Sequence, residues 1–90
     1  MKQQIILEKL TCDTYRSEPL PSCPLLLQMV GTGTLVVHVS VDGQRFSALR
    51  AQSVEGSALR TINLPVGGHF AVEVKDAKEE PRVFMLDTNP

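Results

Sequence analysis

Aromatic residues are scarce in this chain of 90 residues, which has no tryptophan, one tyrosine and three phenylalanines. A platform that stacks nucleic-acid bases needs several exposed rings. A shallow carbohydrate groove has the same need, so the shortage counts against both kinds of site. Hydrophobic residues nevertheless make up 42% of the chain, a share typical of folded domains. We therefore expect a single domain over residues 1–90 with a thin core of Val, Leu and Ile.

The chain also lacks a block of basic residues. Lys and Arg number 9 against 10 Asp and Glu, and the net charge is −1. The charge cluster at 75–80 is of mixed sign, which is typical of a solvated turn. Because a nucleic-acid binder concentrates basic charge on one surface, we expect no nucleic-acid partner.

Long apolar runs are missing as well. No stretch approaches the roughly eighteen apolar residues of a membrane helix. Glu8 and Lys9 interrupt the N-terminal apolar residues too early for the core of a signal peptide. We therefore expect a protein that is made in the cytoplasm and has no membrane partner.

Cysteine and histidine are too few and too scattered for a recognisable metal site. Cys12 and Cys23 share one proline-rich segment, whereas His38 and His69 lie in other segments. A reducing compartment favours two free thiols over a disulfide, and a metal site has the least support. No Ser or Cys has a recognisable base and orienting group, and no calcium-loop spacing occurs. We expect no metal, no cofactor and no enzymatic activity.

The strongest structural signal lies between Gly31 and Arg50. Aliphatic residues occupy every second position of its first half: Leu35, Val37, Val39 and Val41. This period of two predicts a strand with one buried face. The dipeptide Asp42-Gly43 follows, and it favours a two-residue type I′ hairpin turn. The return strand is expected to carry Phe46, Ala48 and Leu49.

Further apolar runs between turn residues predict strands at 3–10, 25–30, 57–64, 69–75 and 82–87. In 69–75 the alternation places Phe70, Val72 and Val74 inside. No helical period is present, so the layer rules favour an all-β fold. We predict a small β-sandwich of about seven antiparallel strands, of jelly-roll or immunoglobulin-like type, with a small barrel as the alternative.

The segment 11–24 breaks this pattern. It holds three prolines, which remove hydrogen-bond donors and disfavour a regular element. Loops of this length are usually functional or disordered. One interpretation is an extended arm or lid with Tyr15 and Arg16 as its contact residues. The other is a surface loop that folds back over the sheet, with Tyr15 and Leu20 closing an open edge.

Two segments carry a resemblance to a known class of protein. Residues 39–49 join a strand, the pattern Ser-x-Asp-Gly, an aromatic residue and a second strand. This hairpin resembles that of small β-sandwich proteins in tailed-bacteriophage virions, which often have Trp where this chain has Phe46. Residues 64–74 are similar to the Leu-Pro-x-Gly turn, aromatic residue and alternating strand that follow in the same proteins, and Gly31-Thr32-Gly33-Thr34 fits the layout. The resemblance spans residues 31–74 and leaves out the segment 11–24 and the C-terminal tail.

The resemblance implies a structural protein of the virion, located on the capsid surface. Such a protein would bind the major capsid protein as a decoration or cement protein. The alternatives are a head–tail or tail accessory protein and a carbohydrate- or receptor-binding module. Self-association stays open, since a monomer and a trimer both fit the sequence. Exposed strand edges and an arm suit strand addition or groove contacts with a partner. The residues expected to touch a partner are Tyr15, Arg16, Leu20, His38, Arg45 and Arg50.

Overall fold

A computed structural model describes residues 2–21, 25–62 and 68–87. In these residues every regular element is a β-strand, which confirms the predicted all-β class. They accordingly contain no helix that is long and apolar enough to cross a membrane. The strands are β1 (Lys2–Ile5), β2 (Leu7–Lys9), β3 (Tyr15–Ser17), β4 (Leu20–Pro21), β5 (Leu25–Val30), β6 (Gly33–Ser40), β7 (Ser47–Val54), β8 (Ser57–Ile62), β9 (His69–Lys75) and β10 (Arg82–Asp87).

The strands form two antiparallel sheets that pack as a small β-sandwich. The first sheet has the order β1-β10-β5-β8, and the second has the order β2-β3-β9-β6-β7, with β4 also paired to β9. The core between the sheets is aliphatic apart from one ring, as the shortage of aromatics required. Its largest fully buried side chains are Phe70, Leu27, Met29, Val37, Val72, Val74 and Val83.

The predicted strand 3–10 is divided between the two sheets. β1 pairs with β10 in the first sheet, and β2 pairs with β3 in the second. The alternation in this run puts Ile5 and Leu7 on one face and Ile6 on the other, and the structure agrees, because Ile5 is buried, Leu7 packs on the core and Ile6 is 87% exposed. Strands that switch sheets turn a corner of the sandwich, and here the corner lies at Ile6.

The prediction of no regular element in 11–24 is wrong for β3 and β4, which both pair with β9. Tyr15 and Leu20 pack against the core, as the fold-back interpretation requires, so this part of the segment is not an extended arm. The pairing shifts between the two strands. There Ser17 Oγ accepts a hydrogen bond of 3.0 Å from the Val72 N–H, so a side chain satisfies the backbone donor. Proline is tolerated at this position because β4 lies at a sheet margin, and residues 22–24 lie outside the described part.

The predicted hairpin is present, but its turn is wider than predicted, and Val41, which the alternation placed on the buried face, lies in this turn and is 85% exposed. β6 and β7 pair antiparallel and are joined by residues 41–46. Among the described non-glycine residues only Asp76 has a positive φ, so Asp42 cannot occupy a type I′ turn. Its carboxylate instead accepts hydrogen bonds from the N–H groups of Gln44 and Arg45 and from the Ser40 hydroxyl. These bonds hold the wider loop and lower the pKa of Asp42 to about 2.

The return strand also differs from its prediction. Phe46 precedes β7 rather than lying in it, and Ala48 is exposed. The register passes from Arg50 opposite Val37 to Ala48 opposite His38. Leu49 is therefore the extra residue of a β-bulge and is half exposed, because a bulged residue has no cross-strand partner.

Candidate protein-binding edge

The corner between β1 and β2 forms one continuous edge of the sandwich. In the described part of the chain, β1 pairs only with β10 and β2 pairs only with β3. Both strands thus end their sheets on the same side of the molecule. An unpaired edge of this kind is a template for pairing with another chain unless it is protected.

Ile6 protrudes from the middle of this edge. With 87% of its surface exposed, it is the most exposed large apolar side chain of the described residues, ahead of Val41 at 85%. Leu10, at the far end of β2, is half exposed as well. A single exposed aliphatic residue is ordinary in a soluble protein. Its surroundings distinguish Ile6 from the others.

Two clefts flank Ile6, one on each side of the corner. The first has a volume of about 530 Å³ and extends to Tyr15 and Pro81. The second has a volume of about 430 Å³ and extends to Leu20 and Met85. Gln4, Ile5 and Ile6 border both. The corner strand therefore only partly closes the opening between the two sheets and leaves a recess on each side of Ile6.

A row of alternating charge ends at the same edge. The pairing registers place Glu8 of β2 opposite Arg16 of β3, and Arg16 opposite Glu73 of β9. Directly opposite residues of antiparallel strands share one face of the sheet. The outer face of the second sheet thus carries an acid, a base and an acid in succession, and Glu8 is the member next to solvent.

The structure brings three of the six predicted contact residues to this edge. Tyr15 lines the first cleft, and Arg16 and Leu20 line the second. Tyr15 and Leu20 are also partly buried against the core, so each joins the cleft wall to the rest of the fold. Whether they touch a partner stays a prediction.

The other three predicted residues lie elsewhere. His38 was expected to touch a partner, but its ring is only 16% exposed and its Nε2 lies 3.0 Å from Glu73 Oε1. Arg45 is exposed in the loop 41–46. Arg50 is opposite Val37 in the register of β7, and its side chain lies outside the described part. The six residues therefore do not form one surface.

Sequence reasoning missed Ile6, Pro81 and Met85 as members of the site. Ile6 had a usable signal, since it stands on the opposite face from Ile5 and Leu7 in an alternating run. Pro81 and Met85 had none, because they reach the edge only through the pairing of β10 with β1.

No group of three His, Cys, Asp or Glu side chains that could hold a metal ion occurs in the described residues. Cys12 is exposed in the turn between β2 and β3, and Cys23 lies outside the described part. The edge combines an apolar anchor, two clefts and an unpaired strand, and these features can hold a polypeptide.

No protein-family model, curated protein or solved structure matches this chain.

Proposed function

We propose that this protein is a non-enzymatic structural protein of a tailed-bacteriophage virion, which binds the major capsid protein and stabilises the capsid lattice as a decoration or cement protein. The observation that carries the proposal is the β1–β2 edge, where Ile6 protrudes between two clefts. The resemblance of residues 31–74 to small β-sandwich virion proteins supplies the class of partner. Such a protein would be made in the host cytoplasm and would lie on the capsid surface.

The energetics of the edge favour a protein partner. Burying one large aliphatic side chain contributes on the order of 1.5–3 kcal/mol. Binding energy in protein interfaces is concentrated in a few side chains that enter well-packed pockets. Ile6 offers the first of these, and the two clefts offer pockets for apolar side chains of the partner. A lattice of identical capsid subunits would multiply such contacts over the particle.

The aromatic content of the edge argues against the carbohydrate-binding alternative. Among the side chains that line the two clefts, Tyr15 carries the only aromatic ring. A head–tail or tail accessory protein would use the same edge on a different virion protein. The capsid is preferred because small virion proteins of the resembling kind that lack enzymatic residues most often decorate it.

Co-sedimentation with expanded capsids tests the proposal. The wild-type protein should sediment with the particles, and Ile6→Lys should bind at least about tenfold more weakly, a loss of about 1.4 kcal/mol. Val41→Lys is the matched control, because Val41 is as exposed as Ile6 but lies in the loop 41–46. Wild-type protein that stays in the supernatant would contradict the proposed function. Equal binding by both variants would remove the edge from it.

A further inference from the structure

The hydrogen bond between Val72 and Ser17 fixes the direction of the backbone groups in β9. The Val72 N–H points toward β3, since it donates to Ser17 Oγ. The backbone N–H and C=O groups of successive residues alternate between the two sides of a strand. The N–H and C=O groups of Val74, two residues after Val72, therefore also point toward β3. Tyr15 is the register partner of Val74, and the two therefore form a hydrogen-bonded pair.

The alternation continues into β2. Because the backbone N–H and C=O groups of Tyr15 point toward β9, those of Arg16 point toward β2. There they meet the backbone groups of Glu8, the register partner of Arg16. A separate hydrogen bond supports this direction. The Leu10 N–H donates to the Thr14 carbonyl oxygen at 2.8 Å, and the backbone groups of Glu8, two residues before Leu10, point to the same side of β2. The backbone groups of Leu7 and Lys9, which alternate with those of Glu8 and Leu10, must point to the opposite side of β2.

The N–H and C=O groups of Leu7 and Lys9 are thus directed to the outer side of β2. No described strand lies on that side. These groups are two donors and two acceptors at alternate positions, which is the arrangement that an added strand pairs with. The two clefts begin beside them at Ile6.

The charge row defines the side chains of such a strand. A residue opposite Glu8 would extend the cross-strand row Glu73, Arg16 and Glu8 by one position on the outer face of the sheet. Opposite charges stabilise directly facing positions, and like charges destabilise them. A basic side chain therefore fits opposite Glu8. An apolar one fits opposite Leu7, whose side chain packs on the core beside the clefts.

We propose that β2 accepts an extended segment of the partner protein as an additional strand, with an apolar residue opposite Leu7 and a basic residue opposite Glu8. This deepens the proposed function, because it names the segment of the capsid protein that the edge would bind. A second copy of this chain fits less well. When two copies of β2 overlap completely in antiparallel fashion, Glu8 faces its own counterpart, and like charges meet.

A backbone substitution tests the hydrogen bonds directly. Lys9→Pro removes the outward N–H of Lys9 and leaves every bond between β2 and β3 in place, since proline is accepted on edge strands. Lys9→Ala is the matched control, because it removes the same side chain and keeps the N–H. In capsid co-sedimentation Lys9→Pro should bind at least tenfold more weakly than Lys9→Ala. Equal binding by two variants with the circular dichroism spectrum of the wild type would overturn the proposal.

A peptide probe makes the test independent of the capsid. The probe is the capped pentapeptide Thr-Val-Lys-Val-Thr, and the control peptide has Glu in place of Lys. In NMR spectra of the full chain, the probe should shift the amide signals of Leu7 and Lys9 and slow their hydrogen exchange, and the control peptide should do so less. Glu8→Lys should reverse this preference.

The two failures are distinguishable. A wild-type protein that ignores capsids but binds the probe through Leu7 and Lys9 would overturn the proposed function and support strand addition. A protein that binds capsids while these amides stay unchanged at the solubility limit of the probe would overturn strand addition alone. Dimers of the wild type that the probe dissociates would show a second copy to be the occupant, and would overturn the choice of partner.

Discussion

His38 Nε2 lies 3.0 Å from Glu73 Oε1 although the two residues are not cross-strand partners. Glu73 is opposite Val36, and His38 is opposite Ala71. The contact is thus diagonal across β6 and β9. Val36 and Ala71, the two direct partners, are both buried, so the outer face of the second sheet has a small apolar patch beside a polar pair. The contact between His38 and Glu73 thus links β6 and β9, two neighbouring strands of the second sheet.

Removing the carboxylate of this pair should destabilise the fold modestly. Glu73→Ala leaves the His38 ring, which is only 16% exposed, without its partner and also removes a contact of 3.8 Å with Lys75 Nζ. We expect a loss of about 0.5–1.5 kcal/mol in the free energy of unfolding, which is the usual value of one such hydrogen bond. Urea denaturation measures it. The exposed Glu79→Ala is the control, and an equal loss in both variants would show that the diagonal contact contributes nothing.

The loop 41–46 should respond to acid through Asp42. Hydrogen bonds from Arg45, Gln44 and Ser40 lower the pKa of its carboxylate to about 2, from 3.8. Because the folded pKa is lower than the unfolded one, this carboxylate stabilises the fold above about pH 3.8, and its contribution is lost as the pH falls through about 2. An NMR titration of the Asp42 side-chain carbon should have its midpoint near 2, and the Gln44 and Arg45 amide signals should move with it. A midpoint near 3.8 would show that the carboxylate does not hold the loop.

Ser17 should be essential for the attachment of β3 and β4. Its buried hydroxyl accepts the Val72 N–H where the pairing with β9 shifts. Ser17→Ala leaves that buried donor unpaired, at an expected cost of about 1–3 kcal/mol. Amide exchange at Val72 should accelerate more than exchange at Val37 in β6. Ser53→Ala, at an exposed position of β7, is the control, and unchanged exchange at Val72 would contradict the assignment.

Gly68 should tolerate no side chain. A Cβ atom at this position would lie 2.6 Å from the backbone oxygen of Ser40, a contact that only a shift of the backbone can relieve. At Gly56 a Cβ atom would meet open space, but φ is +80°, so alanine costs about 1–2 kcal/mol through the left-handed conformation alone. We expect Gly68→Ala to lower the thermal unfolding midpoint more than Gly56→Ala. A larger decrease for Gly56→Ala would show that the backbone at Ser40 shifts at little cost to admit a side chain at position 68.

The inner faces of the central strands were predictable from the residues alone. Leu35 and Val37 in β6 and Phe70, Val72 and Val74 in β9 are buried as their alternation indicated, because a period of two is a local property of a strand. The turn at Asp42 was not predictable, since the dipeptide Asp-Gly favours a narrow turn but the carboxylate has enough backbone partners to hold a wide one.

Long-range pairing explains most of what the residues could not show. The segment 11–24 has a loop-like composition, and two parts of it are strands only because β9 supplies their partners. Only part of the candidate edge could be predicted from the sequence. Tyr15, Arg16 and Leu20 were named as contact residues, whereas the role of Ile6 depends on β1 and β2 belonging to different sheets. Nothing local to Ile6 marks that change.

The residues that form the candidate edge also determine when it can be complete during synthesis. β1 is held only by β10 among the described strands, and the walls of the two clefts include Pro81 and Met85. Contacts between segments so far apart in the chain form late in folding. A nascent chain on the ribosome would therefore expose Ile6 without its clefts until β10 has emerged. The edge with both of its clefts is therefore complete only in a chain that has been translated at least that far.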